Sequence, residues 1–226
     1  MSDEIYMRRC IDLALKGIRE VAPNPMVGCV IVHKGKIIGE GYHETYGQAH
    51  AEVNAIDQVS DKELLKQAKL YVSLEPCTHK GKTKPCTDLI LKYEIPEVII
   101  GVKDPNPKVS GKGIDKLKKA GVKVKVKVLE DLCLEVNKRF FTFFQKQRPY
   151  VILKWAQTRD GYLDKIRDNE EQKINWISAP ETQTIVHKWR SEEQSILVGR
   201  NTIINDNPSL TVREYGGNNP IRIVID

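Results

Sequence analysis

His50-Ala51-Glu52 opens a stretch that runs through Glu75-Pro76-Cys77 and closes on Pro85-Cys86. One imidazole and two thiols supply three corners of a tetrahedral zinc site. A structural zinc is closed by four protein ligands, whereas a catalytic one keeps a corner for water. Glu52 stands two residues from His50 and is a carboxylate free to accept a proton from such a water. Residues i and i+2 of a regular helix point about 200° apart. Both side chains can therefore reach one ion only if His50 sits at the cap of a helix that Glu52 begins. The competing readings are a structural zinc, a scatter of buried residues, and, for Glu52, a solvated first-turn carboxylate.

The surroundings fit an ordinary globular protein. The chain has 226 residues, 40% hydrophobic and 29% charged, enough for one large core or two modest ones. It lacks an apolar run of membrane-spanning length and begins without the basic-then-apolar pattern of a signal peptide, so a cytoplasmic location is expected. Its five cysteines are odd in number and widely spaced, unlike a disulfide framework. Cys10, Cys29 and Cys133 read as buried small hydrophobes. The net charge of +6 owes much to nine lysines between Lys103 and Lys127. Residues 122–128 alternate Val and Lys, a strand with one solvated face, and no aromatics are interleaved as base stacking would require.

Residues 3 to about 17 carry apolar positions at helical spacing. Residues 23–28, Pro-Asn-Pro-Met-Val-Gly, form a loop whose prolines hold Asn24 extended at a strand entrance. A hairpin follows, with Lys34-Gly35 as its turn. The expected series is then helix 50–59, strand 69–74, helix 86–93, strand 97–102, helix 114–120, strand 122–128 and helix 131–145. Such alternation predicts a mainly parallel sheet covered on both faces, with ligands beyond the C-terminal strand ends. Cys77 and Asp104 both fall there. Between the cysteines, residues 78–84 read either as a phosphate cradle or as an exposed basic loop. After Pro149 a new pattern begins: strand 150–156, a polar loop 157–173, helix 181–191, strand 195–198, a turn at 205–208 and a last strand 221–225. This second unit reads as incomplete.

These motifs carry a resemblance. His-x-Glu with two Pro-Cys pairs resembles the zinc deaminases, although eight residues rather than two separate the cysteines. With residues 23–28, Gly-Tyr-His (41–43), 75–86, Asp-Pro-Asn-Pro (104–107), Ser-Gly-Lys-Gly (110–113) and 148–154, the whole chain resembles the bifunctional deaminase/reductase of riboflavin biosynthesis. The resemblance implies an α/β protein: a cytidine-deaminase-like three-layer α/β/α domain over residues 1–147, followed by the beginning of a dihydrofolate-reductase-like α/β domain over 148–226. It implies zinc held by His50, Cys77 and Cys86, with Glu52 catalytic. The substrate would be a diamino-hydroxy-pyrimidine bearing a phosphoribosylamino group, held by Asn24, His43, His79, Lys82, Asp104 and Asn106.

For the second domain the resemblance implies NADPH-dependent reduction of ribosyl to ribityl. Ala156, Trp176, Thr202 and Asp206 would meet the cofactor, and Lys154, Arg190, Leu210 and Arg213 the substrate. Two departures stand out. Lys80-Gly81-Lys82 replaces the family's usual His-Gly-Arg, exchanging a bidentate phosphate grip for a point charge. The stretch 162–174 is long and places Ile174 where a small polar residue is usual. A small-molecule substrate, no nucleic acid, no membrane and a homo-oligomer are the expected partners. The alternatives are a nucleic-acid or nucleoside cytidine/adenosine deaminase and a zinc-stabilised binding module without chemistry. His33 and His187 carry no expected role.

Overall fold

The computed structural model describes residues 2–78, 84–165 and 175–226. The chain divides into two compact units, Met1–Tyr150 and Val151–Asp226.

The first unit contains α1 (Asp3–Leu15), β1 (Gly28–His33), β2 (Lys36–Tyr42), α2 (Ala51–Gln58), β3 (Lys69–Leu74), α3 (Cys86–Lys92), β4 (Glu97–Val102), α4 (Lys112–Lys119), β5 (Lys123–Lys125), α5 (Glu130–Val136) and α6 (Lys138–Lys146). A 3-10 helix, Lys62–Gln67, leads into β3. The five strands form one sheet in the order β2-β1-β3-β4-β5.

Strand alternation sorts the apolar side chains into two cores. Cys29, Ile31, Leu70, Val72, Val98 and Ile100 join Ala55, Ile56, Ile90 and Leu117 of α2, α3 and α4 on one face. Val30, Val32, Tyr71 and Ile99 join Met7, Cys10, Leu13, Cys133 and Phe141 of α1, α5 and α6 on the other. Both faces are covered, which is why β1, β3 and β4 read as nearly continuous apolar runs. Each large side chain so buried contributes about 1.5–3 kcal/mol. The three cysteines read as hydrophobes are indeed buried.

The sheet is mixed rather than mainly parallel. β1 pairs antiparallel with both β2 and β3, while β3–β4 and β4–β5 are parallel. The reason is the Lys34-Gly35 turn, with φ of 46° and 78°. Two successive positive φ values give the tight hairpin turn that returns the chain antiparallel. β2 also lets α2 approach closely, because a Cβ on Gly41 would lie 2.4 Å from the Ala55 nitrogen and 2.5 Å from the Ala51 oxygen.

Three other expectations change. The strand at 122–128 shrinks to Lys123–Lys125, since Lys127 and Leu129 take positive φ of 67° and 54° and turn the chain away. The helix at 131–145 is two helices broken at Asn137, whose φ of −107° and ψ of 24° leave the helical range. Residues 150–156 form no strand; Val151 and Leu153 are 61% and 77% exposed, without a ladder among the described residues.

The second unit holds α7 (Thr182–Glu192), β6 (Ser195–Gly199), α8 (Arg200–Asp206) and β7 (Ile221–Ile225). β6 and β7 are parallel, as a strand–helix–strand crossover requires. α8 was not expected; the turn read at 205–208 is its C-terminal end, with Asn207 at φ 41°. No helix among the described residues is long and apolar enough to cross a membrane.

Candidate metal centre and active-site cleft

His50 occupies the cap of α2 in an extended conformation, with φ −76° and ψ 162°, so Glu52 lies in the first turn. This meets the geometric condition for both side chains to face one point. β3 delivers Cys77: Leu74 pairs with Val102 and the Glu75 N–H donates to the Val102 carbonyl at 3.0 Å, carrying the ladder one residue further. Pro85 caps α3 and Cys86 is its first residue. Proline suits that place because its missing N–H would be unpaired anyway.

His50 Nδ1 lies 3.3 Å from Cys86 Sγ and 3.6 Å from Cys77 Sγ. The three ligand atoms all fall within 4.8 Å of one another. Zinc–nitrogen and zinc–sulfur bonds of about 2.05 and 2.3 Å put neighbouring tetrahedral corners about 3.6 Å apart. The donor set therefore fits zinc in type and in spacing.

The Cys77 thiol is pulled down by a hydrogen bond from the Cys86 thiol and then by the His50 ring, against burial. Cys86 is pushed up by its bond to Cys77 and by burial. The Cys86 N–H also points at Cys77 Sγ at 3.4 Å, favouring the thiolate there. Glu52 is 3% exposed, and burial raises its carboxyl above the ordinary range, opposed by the positive His50 ring. A general base is most effective when its pKa approaches the working pH.

These groups open onto a cleft of about 600 Å³. Asn24, His43, Asp104 and Asn106 all line it, beside His50, Glu52 and Cys77. Asn24 Nδ2 lies 3.1 Å from His43 Nε2, and His43 Nδ1 lies 3.0 Å from the Ala49 carbonyl. A carbonyl only accepts, so Nδ1 carries the proton and Nε2 accepts from Asn24. Burial lowers the His43 pKa, keeping the ring neutral. Asp104 Oδ1 accepts the Asn106 N–H at 2.7 Å; burial, then the nearby Glu75 and Cys77 charges, raise its carboxyl to about 6. His79 and Lys82 lie outside the described residues.

Sequence reasoning missed two features. Phe140, Phe143 and Phe144 of α6 form an apolar wall of the cleft, with Phe143 53% exposed; the sequence predicted only a helix over these residues. Glu75, 4% exposed, binds four backbone N–H groups: Asp104 at 3.2 Å, Gly111 at 2.9 Å, Gly113 at 2.9 Å and Ile114 at 3.3 Å. It caps α4 from another strand and pins the loop bearing Asp104 and Asn106.

In the second unit His187, which carried no expected role, accepts the Arg213 N–H at 2.8 Å and the Glu214 N–H at 3.3 Å on Nδ1. Arg190 Nη1 donates to the Thr211 carbonyl at 2.5 Å. Arg190 and Arg213 are thus drawn to one knot, beside buried Leu210. Thr202 and Asp206 lie one turn apart on α8. Lys154, Ala156 and Trp176 lie on irregular chain, and Trp176 is 63% exposed rather than packed in a cleft.

Residues 1–102 match the family model of the cytidine and deoxycytidylate deaminase zinc-binding region, and residues 149–226 match the RibD C-terminal domain. The chain is 46% identical over 225 residues to the riboflavin biosynthesis protein RibD of Aquifex aeolicus, covering 99% of this chain and 62% of that one. It is 38% identical over 239 residues to RibD of Escherichia coli, covering 100% and 64%. Among solved structures it is similar to a diaminohydroxyphosphoribosylaminopyrimidine deaminase/5-amino-6-(5-phosphoribosylamino)uracil reductase from Thermotoga maritima. There the TM-score is 0.89 with 43% identity, covering 99% of this chain and 62% of that one. Acinetobacter baumannii RibD gives a TM-score of 0.89 with 36% identity, covering 98% and 62%. The chain spans about three fifths of the length of the curated relatives it matches.

Proposed function

We propose that the chain, similar to the riboflavin biosynthesis proteins named RibD, is a member of their family and that its first unit hydrolytically deaminates a diamino-hydroxy-pyrimidine bearing a phosphoribosylamino group. The observation that carries this reading is the triangle of His50, Cys77 and Cys86 donor atoms beside the buried carboxylate of Glu52. His50, Cys77 and Cys86 would hold zinc, which when bound would make a water acidic enough to lose its proton near neutral pH. Glu52 would take that proton and pass it to a ring nitrogen as the water oxygen adds to the amine-bearing carbon, then carry the second proton, from the new hydroxyl, to the amine as the C–N bond breaks and ammonia leaves. Burial raises this carboxyl above its usual range, which strengthens it as the acceptor in the first transfer.

Asn24, His43, Asp104 and Asn106 hold the pyrimidine, and His79 and Lys82 meet the phosphoribosyl end. A cleft of about 600 Å³ suits a nucleotide-sized ligand. The division of labour falls between residues 1–147 and 148–226, the latter reducing ribosyl to ribityl with NADPH. There Ala156, Trp176, Thr202 and Asp206 serve the cofactor, and Lys154, Arg190, Leu210 and Arg213 the substrate. A cytoplasmic homo-oligomer completes the reading.

The test is ammonia release by the zinc-loaded chain from the phosphoribosylaminopyrimidine, compared with cytidine, adenosine and a single-stranded oligonucleotide. Release from the first substrate alone is expected. Equal or faster release from a nucleoside or the oligonucleotide would favour the broader deaminases, and no release from any would leave a binding module.

A further inference from the structure

The zinc-binding-region family model ends at residue 102, yet the cleft is lined further by Asp104, Asn106, Val109 and the three phenylalanines of α6. The start of α6 bears directly on the opposite wall. Asn137, 3% exposed, accepts the Met26 N–H on Oδ1 at 2.8 Å and donates from Nδ2 to the Met26 carbonyl at 2.8 Å. One carboxamide thus completes both hydrogen bonds of one peptide residue, as a neighbouring strand would. The loop needs that anchor. Pro23 and Pro25 have no N–H to give, and the bonds that tie its ends are Asn24 N–H to Val21 at 2.8 Å and His43 N–H to Val27 at 2.9 Å. Two residues before Met26, Asn24 presents its amide to His43 Nε2 at 3.1 Å.

We propose that Asn137 is a positioning residue for the deaminase site, acting through Met26 to hold the Asn24 carboxamide against His43 and its oxygen toward the substrate. The inference deepens the reading given under Proposed function and rests on it. It also accounts for the break between α5 and α6. A continuous helix would keep residue 137 in helical conformation; leaving that range at Asn137 accompanies the turn of its side chain toward the loop. The segment after residue 102 then contributes to substrate selection by two routes, the apolar wall of α6 and the grip of its cap residue, Asn137, on the facing loop.

A double-mutant cycle on the full chain decides it, because residues that act through one another give non-additive losses. Four proteins are compared: the native sequence, Asn24→Ala, Asn137→Ala and the pair. Two quantities are read, kcat/KM for ammonia release and the 15N shift of His43 Nε2, with zinc per chain as control. Asn137→Ala is expected to lower kcat/KM by about tenfold with zinc content unchanged, and by no more than about twofold when Asn24 is already alanine. Both single substitutions should move the His43 Nε2 resonance the same way, and the pair no further. Equal losses in both backgrounds, an unmoved resonance in Asn137→Ala, or loss of zinc would each overturn the proposal and leave Asn137 a structural stitch. Should Asn137→Ala fail to fold, Asn137→Asp replaces it, since it keeps the acceptor for the Met26 N–H and sets a carboxylate oxygen against the Met26 carbonyl in place of the donor. If the native chain releases no ammonia, the proposed deaminase reading falls, while the resonance still decides whether Asn137 positions Asn24.

Discussion

The carboxylate of Glu75 accepts the backbone N–H of Gly113 at 2.9 Å, and the same glycine leaves no room for a side chain, since a Cβ there would lie 2.2 Å from the Pro76 carbonyl. A residue two positions before Cys77, a proposed zinc ligand, therefore also sets where the loop carrying Asp104 and Asn106 begins and ends. Glu75→Ala would strand four buried or half-buried N–H groups. At about 1 kcal/mol or more for each orphaned donor, the loss is on the order of 3–5 kcal/mol. Gly113→Ala should destabilise in the same direction through the clash. Denaturant midpoints measured with unchanged slope would check both, and a Glu75→Ala cost below about 1 kcal/mol would contradict the capping role.

Asp104 gives a pH test whose sign is fixed. Its folded pKa of about 6 lies above the usual 3.8, so the folded protein holds the proton more tightly than the unfolded chain. Ionised Asp104 therefore costs stability, in full above pH 6 and not at all below about pH 4, amounting to about 3 kcal/mol at most. Asp104→Asn keeps an acceptor for the Asn106 N–H and removes that cost. In metal-free protein the variant should unfold at higher temperature than the native sequence at pH 8, with the gap closing toward pH 4. A gap independent of pH would show that the carboxyl is not strained by burial.

Metal loading should release protons. Cys86 holds its proton above the ordinary thiol range and lends it to Cys77, and both sulfurs must be thiolates to bind zinc. Affinity measured against a competing chelator should therefore rise from pH 6 to pH 8. Chelation should abolish ammonia release but leave the first unit folded, because its two cores are apolar and independent of the site. Unfolding of that unit on chelation would instead mark the zinc as structural.

Much of this was legible in the chain itself. β3 and β4 fall where their apolar runs begin and end, because strands buried on both faces leave no polar interruption. The cap at His50 followed from helix geometry once His50 and Glu52 were required to face one ion. The break at Asn137 was hidden, since Val136, Phe140 and Phe144 continue helical spacing across it, and its cause is a partner 111 residues away. Glu75 was visible only as a motif letter, because its partners are backbone groups that no side-chain pattern announces. The parallel-sheet expectation failed for a similar reason: strand order depends on how a hairpin is placed beside the crossover, and alternation of elements does not encode that. In the second unit His187 looked idle because both of its partners are main-chain N–H groups.

The most direct measurement is ammonia release by Glu52→Gln, with zinc per chain determined on the same sample. Glutamine preserves the size of a buried side chain but cannot carry the proton. The account predicts native zinc content and a fall in turnover of about a thousandfold or more. Turnover within about tenfold of the native chain, with zinc still bound, would contradict the assignment of Glu52 as the proton carrier.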